Sequence, residues 1–302
     1  MYQQILQTIG NTPLVRINKI IQKKGVKVFA KLEGFNPSGS IKDRIALKMI
    51  EQAINNGELT KGKTIIEATS GNTGISLAMI GVLKGYKVEI VMSAAVSIER
   101  RMMIEAYGAT VTTTPPELGT DGAIKYVQEI TALYPEKYFC TNQFSNKYNK
   151  IAHYKTTSEE IWQQTNGCLT HLVSAVGTSG TIMGVGLGLK ENNPHIKIVE
   201  AQPTKGHYIQ GLKNMEEAIV PSIYNSDLID LHIMIDTEEA FSMTRQIVKE
   251  EGIFVGMSSG AALLAAKKLS EQIDTGVVVV IFPDRGEKYL STGLFKTGQT
   301  NS

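Results

Sequence analysis

Apolar residues recur along this chain in two alternating rhythms. Short runs, Val26 to Leu32, Lys63 to Ala68, Val88 to Met92 and Thr110 to Thr114, read as strands. Each leads through a loop into a stretch whose apolar positions are three and four apart, the spacing of one helix face. The first such stretch carries Ile41, Ile45, Leu47, Met49 and Ile50 and ends at Gly57. The next run from Ile75 to Lys84, Ile98 to Tyr107 and Gly122 to Leu133, with Gly85 and Gly108 closing two of them. Ahead of them all, Ile9 to Val15 reads as a turn leading into an extended segment. A second series begins near Asn149. It comprises a helix over Thr156 to Gln164, a strand over His171 to Ala175, the loop Gly177 to Thr181, a helix to Lys190 and a strand over Lys197 to Ala201. After an irregular stretch from Gln202 to Asp236 come a helix over Glu238 to Glu251, the loop Gly256 to Gly260, a helix over Ala261 to Ile273 and a strand over Val277 to Phe282. Repeated strand, loop and helix imply right-handed crossovers and parallel sheets. The expected fold class is therefore α/β, as two doubly wound three-layer α/β/α units with a cleft between them. In such folds ligands bind beyond the carboxyl ends of the strands.

Composition narrows the function classes. The 302 residues are 42% hydrophobic and 20% charged, ordinary for a soluble globular protein with room for a large core. A formal net charge of +2, with both signs interspersed, provides no field for nucleic acid or a membrane surface. The polar start Met1-Tyr2-Gln3-Gln4 lacks the apolar core of a signal peptide. Two cysteines, Cys140 and Cys168, have no metal-ligand spacing and suit a reducing cytoplasm, where both are expected to be buried as small hydrophobes. His153, His171, His195, His207 and His232 form no ligand pattern, so no metal site is expected.

The chemistry concentrates at helix starts. In Asn36-Pro37-Ser38-Gly39-Ser40-Ile41-Lys42-Asp43-Arg44, Pro37 and Gly39 make a turn, and Ser40 with Asp43 has the spacing of a capping box. Lys42 then falls in a first helical turn. The helix field disfavours a cation there, which suits a lysine acting as nucleophile or base. Thr69-Ser70-Gly71-Asn72-Thr73-Gly74 brings hydroxyls, an amide and backbone N–H groups to a second helix start, an arrangement that receives an anion such as a carboxylate. Gly177-Thr178-Ser179-Gly180-Thr181 repeats it and suits a phosphate, without the lysine of a nucleotide P-loop. Gly256-Met257-Ser258-Ser259-Gly260 is a third such turn. Helix capping alone would explain any one of them; three, with a lysine at a fourth helix start, point to a ligand.

At these residues the chain resembles the cysteine synthase and cystathionine β-synthase group of pyridoxal-phosphate enzymes, of fold type II and tryptophan synthase β-like architecture. The resemblance runs through Gly10-Asn11-Thr12-Pro13, Asn36 to Arg44, Glu67 to Gly74, Gly177 to Thr181, Ser258-Ser259-Gly260 and Pro283 to Thr292, almost the entire chain. The nearest pattern is the branch of O-acetylserine or O-phosphoserine sulfhydrylases called cysteine synthase B.

The resemblance implies pyridoxal 5'-phosphate as cofactor. It implies a Schiff base at Lys42, a hydrogen bond from Asn72 to the ring hydroxyl, and a phosphate held by Gly177, Thr178, Ser179, Gly180 and Thr181. Ser259 would face the pyridine nitrogen. A serine there can hydrogen-bond an unprotonated nitrogen, which weakens the electron sink and disfavours transamination. Thr69, Ser70, Gly71, Thr73 and Gln143 would hold the substrate, with Ser70, Thr73 and Gln143 on its α-carboxylate. The implied division is a larger cofactor-binding domain of residues 1–40 and 148–302 and a smaller, mobile substrate-binding domain of 41–147. The implied reaction is β-replacement. An O-activated L-serine loses its α-proton to Lys42 and its leaving group from Cβ. The aminoacrylate that results takes sulfide or thiosulfate to give cysteine or an S-substituted cysteine. A β-eliminating lyase that releases hydrogen sulfide, or a cystathionine β-synthase-like thiol transfer, would use the same residues. A homodimer is implied, and a serine acetyltransferase is a candidate partner. Three segments depart from the family pattern: Met92 to Ser97, Ser158-Glu159, and Lys213-Asn214-Met215-Glu216. Lys213 lies in the irregular stretch that the family uses to line the active-site mouth, and it is the candidate selector of an anionic substrate.

Overall fold

The computed structural model describes residues 1–69, 71–94 and 96–296. The strands are β1 (Leu14–Ile17), β2 (Val26–Leu32), β3 (Thr64–Ala68), β4 (Lys87–Ser93), β5 (Thr110–Thr114), β6 (Tyr138–Cys140), β7 (His171–Ala175), β8 (Lys197–Pro203), β9 (Leu231–Ile235) and β10 (Gly276–Phe282). The α-helices are α1 (Lys42–Asn55), α2 (Asn72–Leu83), α3 (Ile98–Ala106), α4 (Gly119–Leu133), α5 (Lys147–Lys155), α6 (Thr157–Gln164), α7 (Gly180–Asn192), α8 (Thr237–Gln246) and α9 (Met257–Gln272). The chain divides into two compact units: residues 1–9 with 42–149, and residues 10–41 with 150–302.

The larger unit is built on a six-stranded sheet of order β1-β2-β10-β7-β8-β9, parallel except for β1. Its centre explains the unbroken apolar run of β10. Val278, Val280 and Phe282 point into one core with α9 and α8, through Ala262, Leu263, Ala266 and Met243. Val279 and Ile281 point into the other, with Ile161 of α6 and Ile182 and Leu189 of α7. A parallel strand covered on both faces has no polar face to present, so alternation disappears from its sequence. The smaller unit repeats the plan on a parallel four-stranded sheet of order β5-β4-β3-β6. Ile65 and Ile90 face a core shared with α1, α2 and Ile104 of α3, while Ile66 and Val91 face Ala123 and Val127 of α4. Both units are thus three-layer α/β/α.

Four details differ from the sequence expectation. Residues 1–9 group with the smaller unit, because Leu6 is buried in its core and Ile9 packs against it. The stretch after β8 ends in a further strand, β9, whose Ile233 and Ile235 are buried. Short β6 and helix α5 lie between residues 138 and 155, where no element was expected. Cys168 is exposed, not buried.

The Gly10-Asn11-Thr12-Pro13 turn is fastened by a buried cation. Lys31 on β2 is fully buried, and its Nζ lies 2.6 Å from Glu160 Oε2, 2.9 Å from Gln164 Oε1 and 2.8 Å from the Thr12 carbonyl. Removing one member of such a pair strands the other in low dielectric. Lys31→Ala should therefore lower the unfolding free energy by about 3–5 kcal/mol, measured as a drop in the urea midpoint. A loss under about 1 kcal/mol would mean that the pair behaves as a solvated surface pair.

Candidate active site

In the smaller unit the predicted residues gather at the starts of α1 and α2. Lys42 is the first residue of α1 and is half-buried. Beside it, the buried carboxylate of Asp43 accepts the hydroxyl of Ser76 at 2.6 Å, and that hydroxyl also lies 3.0 Å from the Asn72 carbonyl. The first turn of α1 is thereby pinned to the first turn of α2, which begins at Asn72. Gly71 precedes it, and a Cβ there would stand 2.9 Å from Nε of the buried Arg100. The Thr69 hydroxyl accepts the Gly71 N–H at 3.3 Å. Thr73 donates to Gln143 Oε1 at 2.7 Å, both residues being 2% exposed. The Gln143 carbonyl in turn accepts Asn149 Nδ2 at 2.8 Å. Thr69, Gly71, Asn72, Thr73 and Gln143 are thus brought together with Lys42. Ser70 lies outside the described residues.

Beneath this loop is Glu67, which sequence reasoning assigned no role. It sits on β3, buried, and accepts the hydroxyl of Thr141. Burial pushes its carboxyl from the ordinary 4.5 up to about 7, and the Thr141 hydroxyl, the backbone N–H groups of Asn142 and Gln143 and the Gln143 side-chain amide moderate the rise. The neighbouring Cys140 thiol is pushed well above its ordinary range by burial and by the Glu67 charge. An acid inside the apolar run Ile65-Ile66-Glu67-Ala68 was the available signal.

In the larger unit, the loop after β7 turns into α7 through Ser179, which adopts a left-handed φ of +65°. Gly177 is obligatory, since a Cβ would overlap the carbonyl oxygen of Gly211. Thr178, Ser179 and Gly180 are buried and Gly177 and Thr181 half-buried. The Thr181 hydroxyl is 3.3 Å from Nε2 of the buried His153, whose Nδ1 is 3.0 Å from Thr157 Oγ1. Ser259, in the first turn of α9, is fully buried. Among the described residues, neither Ser179 Oγ nor Ser259 Oγ has a hydrogen-bond partner. Two buried hydroxyls without partners are costly unless a ligand completes them. Both lie at the carboxyl edge of the sheet. Ser179 follows β7, and the Gly256 N–H that starts α9 donates to Asp284, just past β10, at 3.3 Å. Lys213 also reaches this edge by its backbone, whose N–H donates to the Val176 carbonyl at 2.9 Å, while its Nζ lies 3.4 Å from the Ile219 carbonyl. No group of His, Cys, Asp or Glu side chains suited to a metal ion occurs among the described residues, and no helix among them is long and apolar enough to cross a membrane.

Comparison with known proteins identifies the class. The family model described as "Pyridoxal-phosphate dependent enzyme" matches residues 5–284, and the chain belongs to that family. Within it the chain is similar to cysteine synthases. It is 48% identical to the cysteine synthase of Aquifex aeolicus over 97% of this chain and 92% of that protein. It is 45% identical to cysteine synthase B of Escherichia coli over 96% and 95%. Among solved structures, a hydrogen sulfide-producing enzyme of Fusobacterium nucleatum superposes with a TM-score of 0.91 at 42% identity, covering 96% of this chain and all of that one, 100%. The family's cofactor carries a phosphate and a pyridine nitrogen. The loop 177–181 and the unpartnered hydroxyls of Ser179 and Ser259 fit both groups.

Glu67 gives the fold a pH dependence of unusual sign. Below pH 4.5 its carboxyl is protonated in both folded and unfolded chains. Between 4.5 and 7 the unfolded chain ionises first, so stability falls as pH rises, and the deficit is complete above pH 7. Glu67→Gln should remove a slope worth roughly 3 kcal/mol. Urea unfolding of both proteins at pH 4.5 and pH 8 measures it; parallel losses in the two would show that Glu67 is not the source.

Proposed function

We propose that this chain makes L-cysteine, or an S-substituted cysteine, by β-replacement on an O-activated L-serine with sulfide or thiosulfate as nucleophile, using pyridoxal 5'-phosphate. The observation that carries the reading is the pair of buried, unpartnered hydroxyls, Ser179 in an anion-binding loop and Ser259 at a neighbouring helix start. When bound, the cofactor supplies an electron sink for the substrate's α-carbon. Gly177, Thr178, Ser179, Gly180 and Thr181 hold its phosphate, through backbone N–H groups at the start of α7 and through hydroxyls. Ser259 presents a neutral hydroxyl to the ring nitrogen, where an acid would hold that nitrogen protonated. Asn72 hydrogen-bonds the ring hydroxyl. Lys42 anchors the cofactor and, as a free amine, takes the α-proton. Thr69, Ser70, Gly71, Thr73 and Gln143 bind the substrate, whose carboxylate meets donors at the start of α2. In this reading the unit that carries α2 is the mobile one, and its closure excludes water from the reacting centre. A homodimer in the cytoplasm belongs to the same reading and rests on family resemblance alone.

Similarity to the Fusobacterium enzyme favours a second reading, β-elimination from L-cysteine with release of sulfide. Three assays separate the two: O-acetylserine with sulfide, O-phosphoserine with sulfide, and L-cysteine alone. Faster turnover with cysteine alone than with either serine ester would displace synthesis by degradation. In all three, Lys42→Ala should cut kcat by at least about 10³-fold while far-ultraviolet circular dichroism stays that of the wild type. Retained activity would remove Lys42 from its role.

Lys213 supplies the selection. Its backbone is fixed beside the phosphate loop, so a side chain at this position can vary without disturbing that loop. A flexible point charge would favour the phosphate of phosphoserine over acetylserine, or the dianion thiosulfate as nucleophile, by up to about tenfold for a partly exposed pair. Lys213→Ala should lower kcat/KM for the anionic partners alone. An equal effect on all, or none, would reject the selection.

A further inference from the structure

β8 carries an acid inside an apolar run, Glu200 in Ile198-Val199-Glu200-Ala201, and no step of the proposed reaction falls to it. Its side chain is fully buried. Three groups converge on one of its oxygens, Oε2: Gln202 Nε2 at 2.6 Å, the Tyr224 hydroxyl at 3.0 Å and His232 Nδ1 at 2.8 Å. Among the described residues Oε1 has no hydrogen-bond partner. A buried carboxyl is costly, and a polar network around it orders its members where an apolar core would not.

Gln202 passes that order on. Glu200 takes its Nε2, so its Oε1 faces away and accepts the Met215 N–H at 2.9 Å. A primary amide turned by 180° exchanges its donor and acceptor ends. Turned so, Gln202 would set its NH2 group against the Met215 N–H. Beside Met215, the buried Asn214 donates to the Pro203 carbonyl at 2.9 Å. The Lys213 N–H donates to the Val176 carbonyl at 2.9 Å, and the Gly211 carbonyl lies where a Cβ on Gly177 would stand. The segment 211–215 therefore runs from the phosphate loop to the end of β8, and Gln202 holds its far end.

We propose that Glu200 and Gln202 are positioning residues for substrate selection: by fixing the orientation of one amide they fix the backbone of 211–215, and with it the place of Lys213 beside the phosphate loop. The inference rests on the reading of Lys213 as the group that selects an anionic substrate. A lysine is a point charge on a flexible stem, so its preference depends on a backbone that does not add to that freedom. With an apolar side chain at 202 the Met215 N–H loses its acceptor, and the segment loses one of its ties to β8. Glu200 acts one step further back, by keeping the donor end of Gln202 turned away from Met215.

The test is the ratio of kcat/KM for O-phosphoserine to kcat/KM for O-acetylserine, each with sulfide and saturating pyridoxal 5'-phosphate. Taken within one protein, this ratio is insensitive to the fraction of folded, loaded enzyme. Lys213→Ala sets the size of the selection, up to about tenfold. Gln202→Met, of similar length and without either hydrogen bond, should lower the ratio by at least about threefold, and Glu200→Leu likewise. Glu200→Gln, whose side-chain oxygen can still accept from Gln202, should stay within about twofold of wild type. In the Lys213→Ala background, Gln202→Met should move the ratio by less than about twofold, because the pair acts through Lys213. A wild-type ratio in Gln202→Met or Glu200→Leu would overturn the proposal. So would an equal fall with and without Lys213, or a fall in Glu200→Gln as large as in Glu200→Leu. If Gln202→Met or Glu200→Leu fails to fold, the other decides. A ratio that Lys213→Ala leaves unchanged would remove the selector reading, and the positioning role with it; a ratio that falls in Lys213→Ala but not in Gln202→Met removes the positioning role alone.

Discussion

Backbone pairing just past the end of β10 organises the site of the larger unit. Ser40 bridges Asp284, and the Ile41 N–H donates to the Pro283 carbonyl at 2.8 Å. On the other side Val255 bridges Arg285, immediately before α9. Residues 283–285 therefore fix two segments, one ending immediately before Lys42 and one leading within four residues to Ser259. Asp284 adds a side-chain tie, accepting the Tyr289 hydroxyl at 2.7 Å, and Tyr289 is itself buried. Hydrogen bonds from so buried a strand end hold these backbones far more rigidly than loop packing would.

The helix starts were legible in the sequence because the chemistry of a helix start is local. Glycine, serine and threonine clusters after an apolar run announce exposed N–H groups whatever the rest of the chain does. Their boundaries were less legible. α2 begins at Asn72, three residues before the first strongly apolar position, because Thr73 and Ser76 are buried through hydrogen bonds, to Gln143 and to Asp43, and not through hydrophobicity. The Glu67–Thr141 contact joins residues 74 apart. No window of sequence holds both, so the acid read as one letter of a longer family pattern. β9 was missed for a related reason: its alternation is short, and the long irregular stretch ahead of it hid its start. The grouping of Met1–Ile9 with the smaller unit depends on where Leu6 finds a core, which periodicity cannot say.

The two units divide the chemistry by type. The larger presents neutral donors, the hydroxyls of Ser179 and Ser259 and the backbone N–H groups of the 177–181 loop. The smaller carries the amine of Lys42 and the buried carboxyl of Glu67. Hydroxyls and backbone N–H groups keep one protonation state around neutral pH, whereas the Glu67 carboxyl, pushed up to about 7, changes state there.

The position of β10 in the sheet also dictates an order of assembly. Among the described residues it is the last strand in sequence, yet it lies between β2 and β7. Until residues 276–282 have left the ribosome, β1 and β2 cannot join β7, β8 and β9, and the larger unit has no centre. The smaller unit, its last residue at 149, is free to form long before. When it does emerge, β10 is a bare Gly-Val-Val-Val-Val-Ile-Phe segment, uncharged and strongly strand-forming, the composition most prone to pairing with another copy. The sheet is therefore closed only when that segment enters the slot between β2 and β7.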